Sequence, residues 1–182
     1  MGFDAGISIN KFKKEKSGKI DLYFLGRLNH CLDYLIYSNC SGKSETIEVG
    51  EPIISKEGGI VQGYEIKTIE NEGYEYTFTL KDIKPILDAV RPIYKICIKY
   101  SNRVIDELEN YIDGYADEKP SEVSDEDISK LKDALYNISE DGDVDYPELH
   151  KALRVYDVFA AVAQLEDEIF KEFGPLIYWR SW

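Results

Sequence analysis

The stretch Ser139-Glu140-Asp141-Gly142-Asp143-Val144-Asp145 opens the part of this chain that decides the predicted fold, because the broadest apolar pattern in the sequence follows it. Apolar side chains recur at helical spacing from Leu149 to Phe173, and residues 158–163 are apolar without interruption. Gly174-Pro175, a pair typical of positions just beyond a helix, closes the pattern. We therefore predict one long helix over residues 149–173 that is buried on most sides and nucleates the core.

The turn before this helix resembles part of a calcium-binding EF-hand loop. Its candidate oxygen ligands are Asp141, Asp143 and Asp145. With Ser139 at loop position 1, position 6 is Val144 where an EF-hand has Gly, and position 12 is His150 where it has a bidentate Glu. The pattern therefore favours a reverse turn and a helix start at Asp145–Pro147, with a calcium-binding module as an alternative.

Charge is divided unevenly along the sequence. Residues 1–103 carry 15 Lys and Arg against 14 Asp and Glu, whereas residues 104–182 carry 7 against 21. Such an imbalance bears on partners rather than on fold. An acidic half repels phosphate, so direct nucleic-acid binding through it is disfavoured, and it attracts a basic protein surface.

One candidate contact cluster stands out in the acidic half. Its members are Asp106, Glu107, Glu109, Asp113, Asp117 and Glu118. The same excess of carboxylates also fits a plain role in solubility, which needs no partner.

Apolar patterns elsewhere predict an α+β fold that is mainly helical, with a small antiparallel β-sheet in the N-terminal half and a helical C-terminal half. The predicted elements are a strand near residues 3–12, a helix over 20–37, a central hairpin of 60–70 with 74–80, a helical stretch over 83–112 that kinks or restarts at Pro92, and a helix capped by Ser124. The aromatic stretch 176–182 either closes the core or stands at an interface.

A polar, Pro-containing connection after Gly114 marks the predicted internal boundary. It divides the chain into an α+β part with the central hairpin, residues 1–115, and an acidic helical part, residues 116–182. One compact domain is the alternative, because 182 residues are enough for a single substantial core.

Three residues suggest a metal-dependent nuclease. Glu51, Glu65 and Lys67 have the order of an upstream acid followed by an acid-x-Lys pair on a strand, as in nucleases of the restriction-endonuclease type. Strand alternation alone also places Glu65 and Lys67 on the polar face of a hairpin.

A second group offers His30, Cys31, Asp33 and Cys40. A zinc site would lack its paired fourth ligand, and adjacent helical residues such as His30 and Cys31 point apart. With only two His in the sequence, we expect no catalytic residue, no cofactor and no enzymatic activity.

Features of targeting are missing from the sequence. No run approaches the roughly 20 apolar residues of a membrane span, and residues 1–19 lack the apolar core of a signal peptide. The three cysteines are odd in number and far apart, which favours reduced thiols in the cytoplasm.

The opening Met1-Gly2-Phe3-Asp4-Ala5-Gly6-Ile7-Ser8, the acidity, the small size and the aromatic end Tyr178-Trp179-Arg180-Ser181-Trp182 resemble small proteins of bacteriophages and mobile elements, and among these the anti-CRISPR proteins. The resemblance is one of overall character and assigns no role to any residue. It implies a phage-encoded inhibitor in the host bacterial cytoplasm that binds a Cas nuclease such as Cas9, or its guide complex, and blocks loading or use of the nucleic acids. Basic channels of such nucleases are compatible with an acidic competitor.

Overall fold

The computed structural model describes residues 3–10, 19–28, 30–43, 46–55, 58–59, 61–70, 75–139 and 148–181. Within them the protein is α+β and mainly helical, which confirms the predicted fold class. The strands are β1 Phe3–Asn10, β2 Lys19–Leu28, β3 Gly42–Lys43, β4 Thr46–Ile54, β5 Val61–Glu70, β6 Glu75–Phe78 and β7 Leu176–Ser181. The helices are α1 His30–Ser38, α2 Leu80–Cys97, α3 Asn102–Ile112, α4 Asp125–Ile138, α5 Leu149–Val162 and α6 Asp167–Phe173.

The main sheet joins the two ends of the chain. Its strand order is β2-β1-β7-β6-β3, and each pair is antiparallel. The aromatic stretch near the C-terminus therefore supplies the middle strand, and Leu176 and Tyr178 on it are fully buried. Because strands alternate their faces, Tyr178 and Arg180 point to one side of the sheet and Trp179 to the other.

The predicted central hairpin is wrong in its pairing. Strand β5 pairs with β4 in a separate two-stranded sheet, whereas β6 pairs with β3 and β7. The reason is burial at the end of β6, where Phe78 is fully buried with its ring centroid 5.9 Å from that of Phe159. Strand β4 instead leaves Ile53 and Ile54 about half exposed, so its sheet lies outside the core.

The predicted helix over residues 20–37 is replaced by strand β2 followed by α1. The pairing of β1 with β2 contains two register shifts, and the residues skipped on β2 are Leu22 and Leu25. A bulge inserts an extra residue into a strand and breaks its period of two. The bulges therefore give the apolar residues of β2 a spacing of three, which resembles the spacing along one face of a helix.

Helix α2 runs without a break through Pro92, so the predicted restart there is wrong, and the predicted kink stays a prediction. Pro92 is exposed, and the carbonyl that loses its helical partner can be hydrated. The interruption comes instead at residues 98–101, after which the hydroxyl of Ser101 accepts a hydrogen bond from the backbone N–H of Val104 and begins α3.

The predicted long helix over 149–173 is two helices. Helix α5 is the core helix, with Val155, Phe159 and Val162 fully buried, and it packs against α2. Helix α6, after a break at residues 163–166, has no buried residue. The apolar residues of α6 only cover the rim of the core, so the buried part of the predicted helix ends at Val162.

A single hydrophobic cluster contains buried residues from both sides of the connection at residues 116–123. Within that connection Pro120 is buried and Val123 is 2% exposed. Helices α4 and α5 both pack on α2, which places α3 and its acidic residues on the outside of the helical layer.

Candidate functional site on helix α3

Helix α3 presents one apolar and one acidic face. Val104, Ile105 and Leu108 are buried against the core. The opposite face and the segment that follows carry the whole predicted contact cluster, all of it exposed or partly exposed: Asp106, Glu107, Glu109, Asp113, Asp117 and Glu118. We call these six residues the α3 acidic surface.

The charges of α3 run against the helix dipole. Arg103 lies in its first turn, and Glu109 and Asp113 lie at its C-terminal end, where carboxylates are unfavourable. Neither an acid in the first turn nor a base in the last turn offsets this arrangement. Residues that break a local rule of helix stability often do so because the protein needs them for its function.

Part of the α3 acidic surface is neutralised by the chain itself. Arg103 forms ion pairs with Glu107 on the same helix and with Glu122, 2.7 Å away. The hydrogen bond that Arg103 donates to Glu122, followed by the charge of Glu107, raises the pKa of the Arg103 guanidinium. The negative charge at the start of α3 is therefore smaller than the sequence indicates.

The middle of the surface meets the start of α5. His150 Nε2 lies 2.8 Å from Asp106 Oδ1, and Glu109 Oε1 accepts a hydrogen bond from the backbone N–H of His150 at 3.3 Å. One ligand atom from each of the three side chains lies within 4.8 Å of the others. Glu148, with a left-handed φ of 39°, directs the chain into α5 so that His150 faces α3.

Sequence reasoning assigned His150 only as the misfit at position 12 of a calcium loop. The contact with Asp106 spans 44 positions, and no local pattern predicts a contact of that range. The i, i+3 spacing of Asp106 and Glu109 was the available signal, because residues three apart share a helix face.

The end of the surface is the most open part. Asp117 and Glu118 are exposed, and they have no ion pair among the described residues. Gly114 adopts a left-handed φ of 76° to end the helix, and the neighbouring Tyr115 is 72% exposed. An aromatic side chain beside free carboxylates is suited to contact a protein surface.

The proposed nuclease residues do lie together. Glu51 and Glu65 are direct cross-strand partners in the two-stranded sheet, and Lys67 Nζ forms an ion pair with Glu51. The hydrogen bond that Lys67 donates to Glu51 raises the pKa of Lys67. All three side chains are exposed, so bulk water reaches the group and weakens its electrostatics.

The group around Asp33 is structural. Asp33 is 3% exposed, accepts a hydrogen bond from Tyr178 Oη at 2.7 Å and forms an ion pair with Arg180. Burial, then the charges of Asp82 and Asp33, raises the pKa of the Cys40 thiol to about 12. A thiol that stays protonated at neutral pH is a poor nucleophile.

A groove of about 760 Å³ lies between α2 and α4 and was not predicted. Its cations are Arg91, Lys95, Lys99 and Lys130. Three carboxylates, those of Asp88, Asp127 and Asp133, line the same groove, with Arg91 3.2 Å from Asp88 and Lys99 2.9 Å from Asp127, so most of this charge is balanced inside the groove. The groove therefore offers no strong selectivity by charge.

The candidate calcium ligands Asp141, Asp143 and Asp145 lie outside the described residues, as does the side chain of His30. No helix in the described part of the chain is long and apolar enough to span a membrane. Comparison with known proteins found no matching family model, no matching curated protein and no matching solved structure.

Proposed function

We propose that this protein is a non-enzymatic inhibitor or interaction protein, phage-encoded, that binds a basic nucleic-acid-binding protein such as a Cas9-type nuclease through the α3 acidic surface. The observation that supports it best is the orientation of charge on α3, where acids occupy the helix end that they destabilise. Solubility alone gives no reason to place acids at this helix end, since the same charge elsewhere on the surface would destabilise the protein less.

The binding physics follows from the layout of the surface. Nucleases of this type hold their nucleic acids in basic channels, and the carboxylates on α3 and on the segment after it can occupy the places of phosphates. Such contacts favour fast association and depend strongly on salt. Because Arg103 neutralises Glu107, and His150 contacts Asp106 and Glu109, the largest contributions are expected from Asp117 and Glu118.

A pull-down with a Cas9–guide complex at low and at high salt tests the proposal. The informative variant removes three charges from the α3 acidic surface: Asp113→Asn, Asp117→Asn and Glu118→Gln. Its matched control removes three from the exposed N-terminus of α6: Glu166→Gln, Asp167→Asn and Glu168→Gln.

Binding at low salt that is lost at high salt and in the α3 variant, but kept by the α6 control, supports the proposal. Absence of binding at low salt overturns it for this partner. Equal weakening of binding by both variants would show that only the net charge of the protein matters, and it would contradict the assignment of the α3 acidic surface as the contact.

A metal-dependent nuclease remains a second candidate because Glu51, Glu65 and Lys67 meet on one sheet. Incubation with DNA or RNA and Mg²⁺ tests it, with Glu65→Ala as the variant and Gln62→Ala on the same strand as the control. Cleavage that is lost only in Glu65→Ala supports this candidate, and equal activity in both variants removes it.

A further inference from the structure

We propose that Asp106, Glu109 and His150 form a binding site for a divalent transition-metal ion of the Zn²⁺ class, between α3 and the start of α5. The inference goes beyond the proposed function, because it requires only this chain and holds whether or not a protein partner exists.

The three donors are already close enough for one ion. Ligands around a tetrahedral Zn²⁺ at about 2.0–2.2 Å from the metal lie roughly 3.4 Å apart. His150 Nε2 and Asp106 Oδ1 are 2.8 Å apart, and all three donor atoms fall within 4.8 Å of one another. Rotation of partly exposed side chains therefore suffices to close the site, and no backbone movement is needed.

The backbone that carries the donors is fixed by the core. Asp106 and Glu109 flank the buried Leu108 on α3, and His150 follows the fully buried Leu149 on α5. A site on two packed helices loses little conformational freedom when the ion binds. The cluster differs in this respect from acids on exposed loops, because an ion that binds such loops must first restrict their backbone motion.

Charge also favours a cation here. Among the described residues, neither Asp106 nor Glu109 forms an ion pair with a Lys or Arg side chain, whereas Glu107, between them in sequence, does. Two carboxylates with an imidazole as their nearest partner leave a deficit of positive charge. A divalent ion balances both carboxylates and is bound by the neutral imidazole.

The donor set selects the class of metal. One imidazole nitrogen with two carboxylate oxygens suits Zn²⁺ and its neighbours, whereas Ca²⁺ and Mg²⁺ prefer oxygen alone. The thiol of Cys97 is fully buried, and it does not belong to the group of donor atoms that lie within 4.8 Å of one another. Three protein ligands leave a coordination position for water or a group from another molecule.

Calorimetric titration of the full chain with Zn²⁺ tests the site. We expect one equivalent to bind, with affinity at least about tenfold weaker in His150→Ala, Asp106→Asn and Glu109→Gln, the scale of loss caused even by outer-shell changes. Glu107→Gln and Asp117→Asn are the matched controls, because each removes one nearby charge without removing a proposed ligand. Their affinities should stay within about twofold of the parent.

Substitution of Co²⁺ gives an independent readout, since its visible absorption reports ligand type and geometry. Nitrogen and oxygen ligation that disappears in His150→Ala supports the site, and far-UV circular dichroism checks that each variant is folded. Unchanged binding in His150→Ala, equal loss in the Glu107→Gln control, thiolate absorption bands, or no binding at all would each overturn the proposal.

Discussion

Two clusters in this protein each contain an aspartate, and they differ in burial and in how the carboxylate charge is compensated. Asp33 on α1 is buried and bound by Tyr178 and Arg180 of the central strand β7. Asp106 on α3 is exposed and is met by His150 of α5, and no Lys or Arg among the described residues pairs with it. Both clusters join elements that are distant in sequence.

The difference lies in what each cluster can still do. A buried carboxylate must be compensated within the fold, because an unpaired buried charge is very costly. The guanidinium of Arg180 is in addition held over the rings of Tyr37 and Tyr76, with its carbon 4.6 Å and 5.2 Å from their centroids. The exposed cluster contributes little to stability, so its carboxylates remain available to an ion or a partner.

The largest expected effect comes from breaking the buried cluster. Asp33→Ala should lower the free energy of unfolding by about 3–5 kcal/mol, because it leaves Arg180 without its partner. The matched change Asp106→Ala at the exposed cluster should lower it by less than about 1 kcal/mol. Urea unfolding followed by circular dichroism measures both, and equal effects would refute the contrast drawn between the clusters.

A second change tests how tightly the sheet around β7 is packed. A Cβ at Gly6 would lie 2.6 Å from Cζ2 of Trp179 and 2.8 Å from the carbonyl oxygen of Tyr23. Gly6→Ala should therefore lower the free energy of unfolding by about 1–3 kcal/mol through overpacking.

Gly63→Ala in the outer sheet is the control for that change, since a Cβ there meets no atom within 4 Å. Parallel urea titrations should show a clearly smaller effect for it. A harmless Gly6→Ala would mean that the sheet around β7 tolerates expansion.

A third change concerns a carboxylate of intermediate burial. Asp127 accepts hydrogen bonds from Lys99 at 2.9 Å and from Tyr100 at 2.7 Å, and these lower its pKa below the ordinary value of 3.8. A lowered folded pKa means that the stabilisation is present above the unfolded pKa and is lost as pH falls through the folded pKa. Asp127→Asn should therefore destabilise the protein at neutral pH and lose most of that effect in strong acid.

Unfolding free energies at about pH 6 and about pH 2 provide the measurement. Asp125→Asn is the control, because its ion pair with Lys119 leaves the Asp125 side chain 92% exposed. A pH-independent effect of Asp127→Asn would show that the carboxylate acts by packing and not by charge.

The smallest expected effect is that of His150→Ala in the presence of a chelator. Its contact with Asp106 is exposed, and exposed polar contacts of this kind contribute less than about 1 kcal/mol. Added Zn²⁺ should raise the midpoint of unfolding of the parent protein and leave that of His150→Ala nearly unchanged, since a ligand stabilises the state that binds it. Thermal unfolding with and without Zn²⁺ decides between these outcomes.

Local rules predicted what depends on local chemistry. Ser124 caps α4 as expected, its hydroxyl accepting a hydrogen bond from the backbone N–H of Asp127 at 3.1 Å. The exposure of the acids on α3 followed from their charge, and their role as a contact surface stays a prediction. The mainly helical α+β class followed from the same apolar periodicities.

The pairings and contacts between residues distant in sequence were not predicted, and the reasons are physical. The bulged residues Leu22 and Leu25 gave β2 a helical spacing, and the partner of β6 is selected by burial of Phe78 rather than by a turn. The meeting of His150 with Asp106 depends on how α5 packs, and only the folded chain contains that information.

The position of β7 also has a kinetic consequence. This strand joins β1 to β6, and its pairing of Asp4 with Ser181 closes a loop over nearly the whole described chain. Contacts of such high sequence separation cost much loop entropy before they are rewarded, so they form late and slowly. During synthesis on the ribosome, one edge of the paired strands β1 and β2 therefore stays unpaired until residues 176–181 emerge. In that period the open edge can pair with other chains.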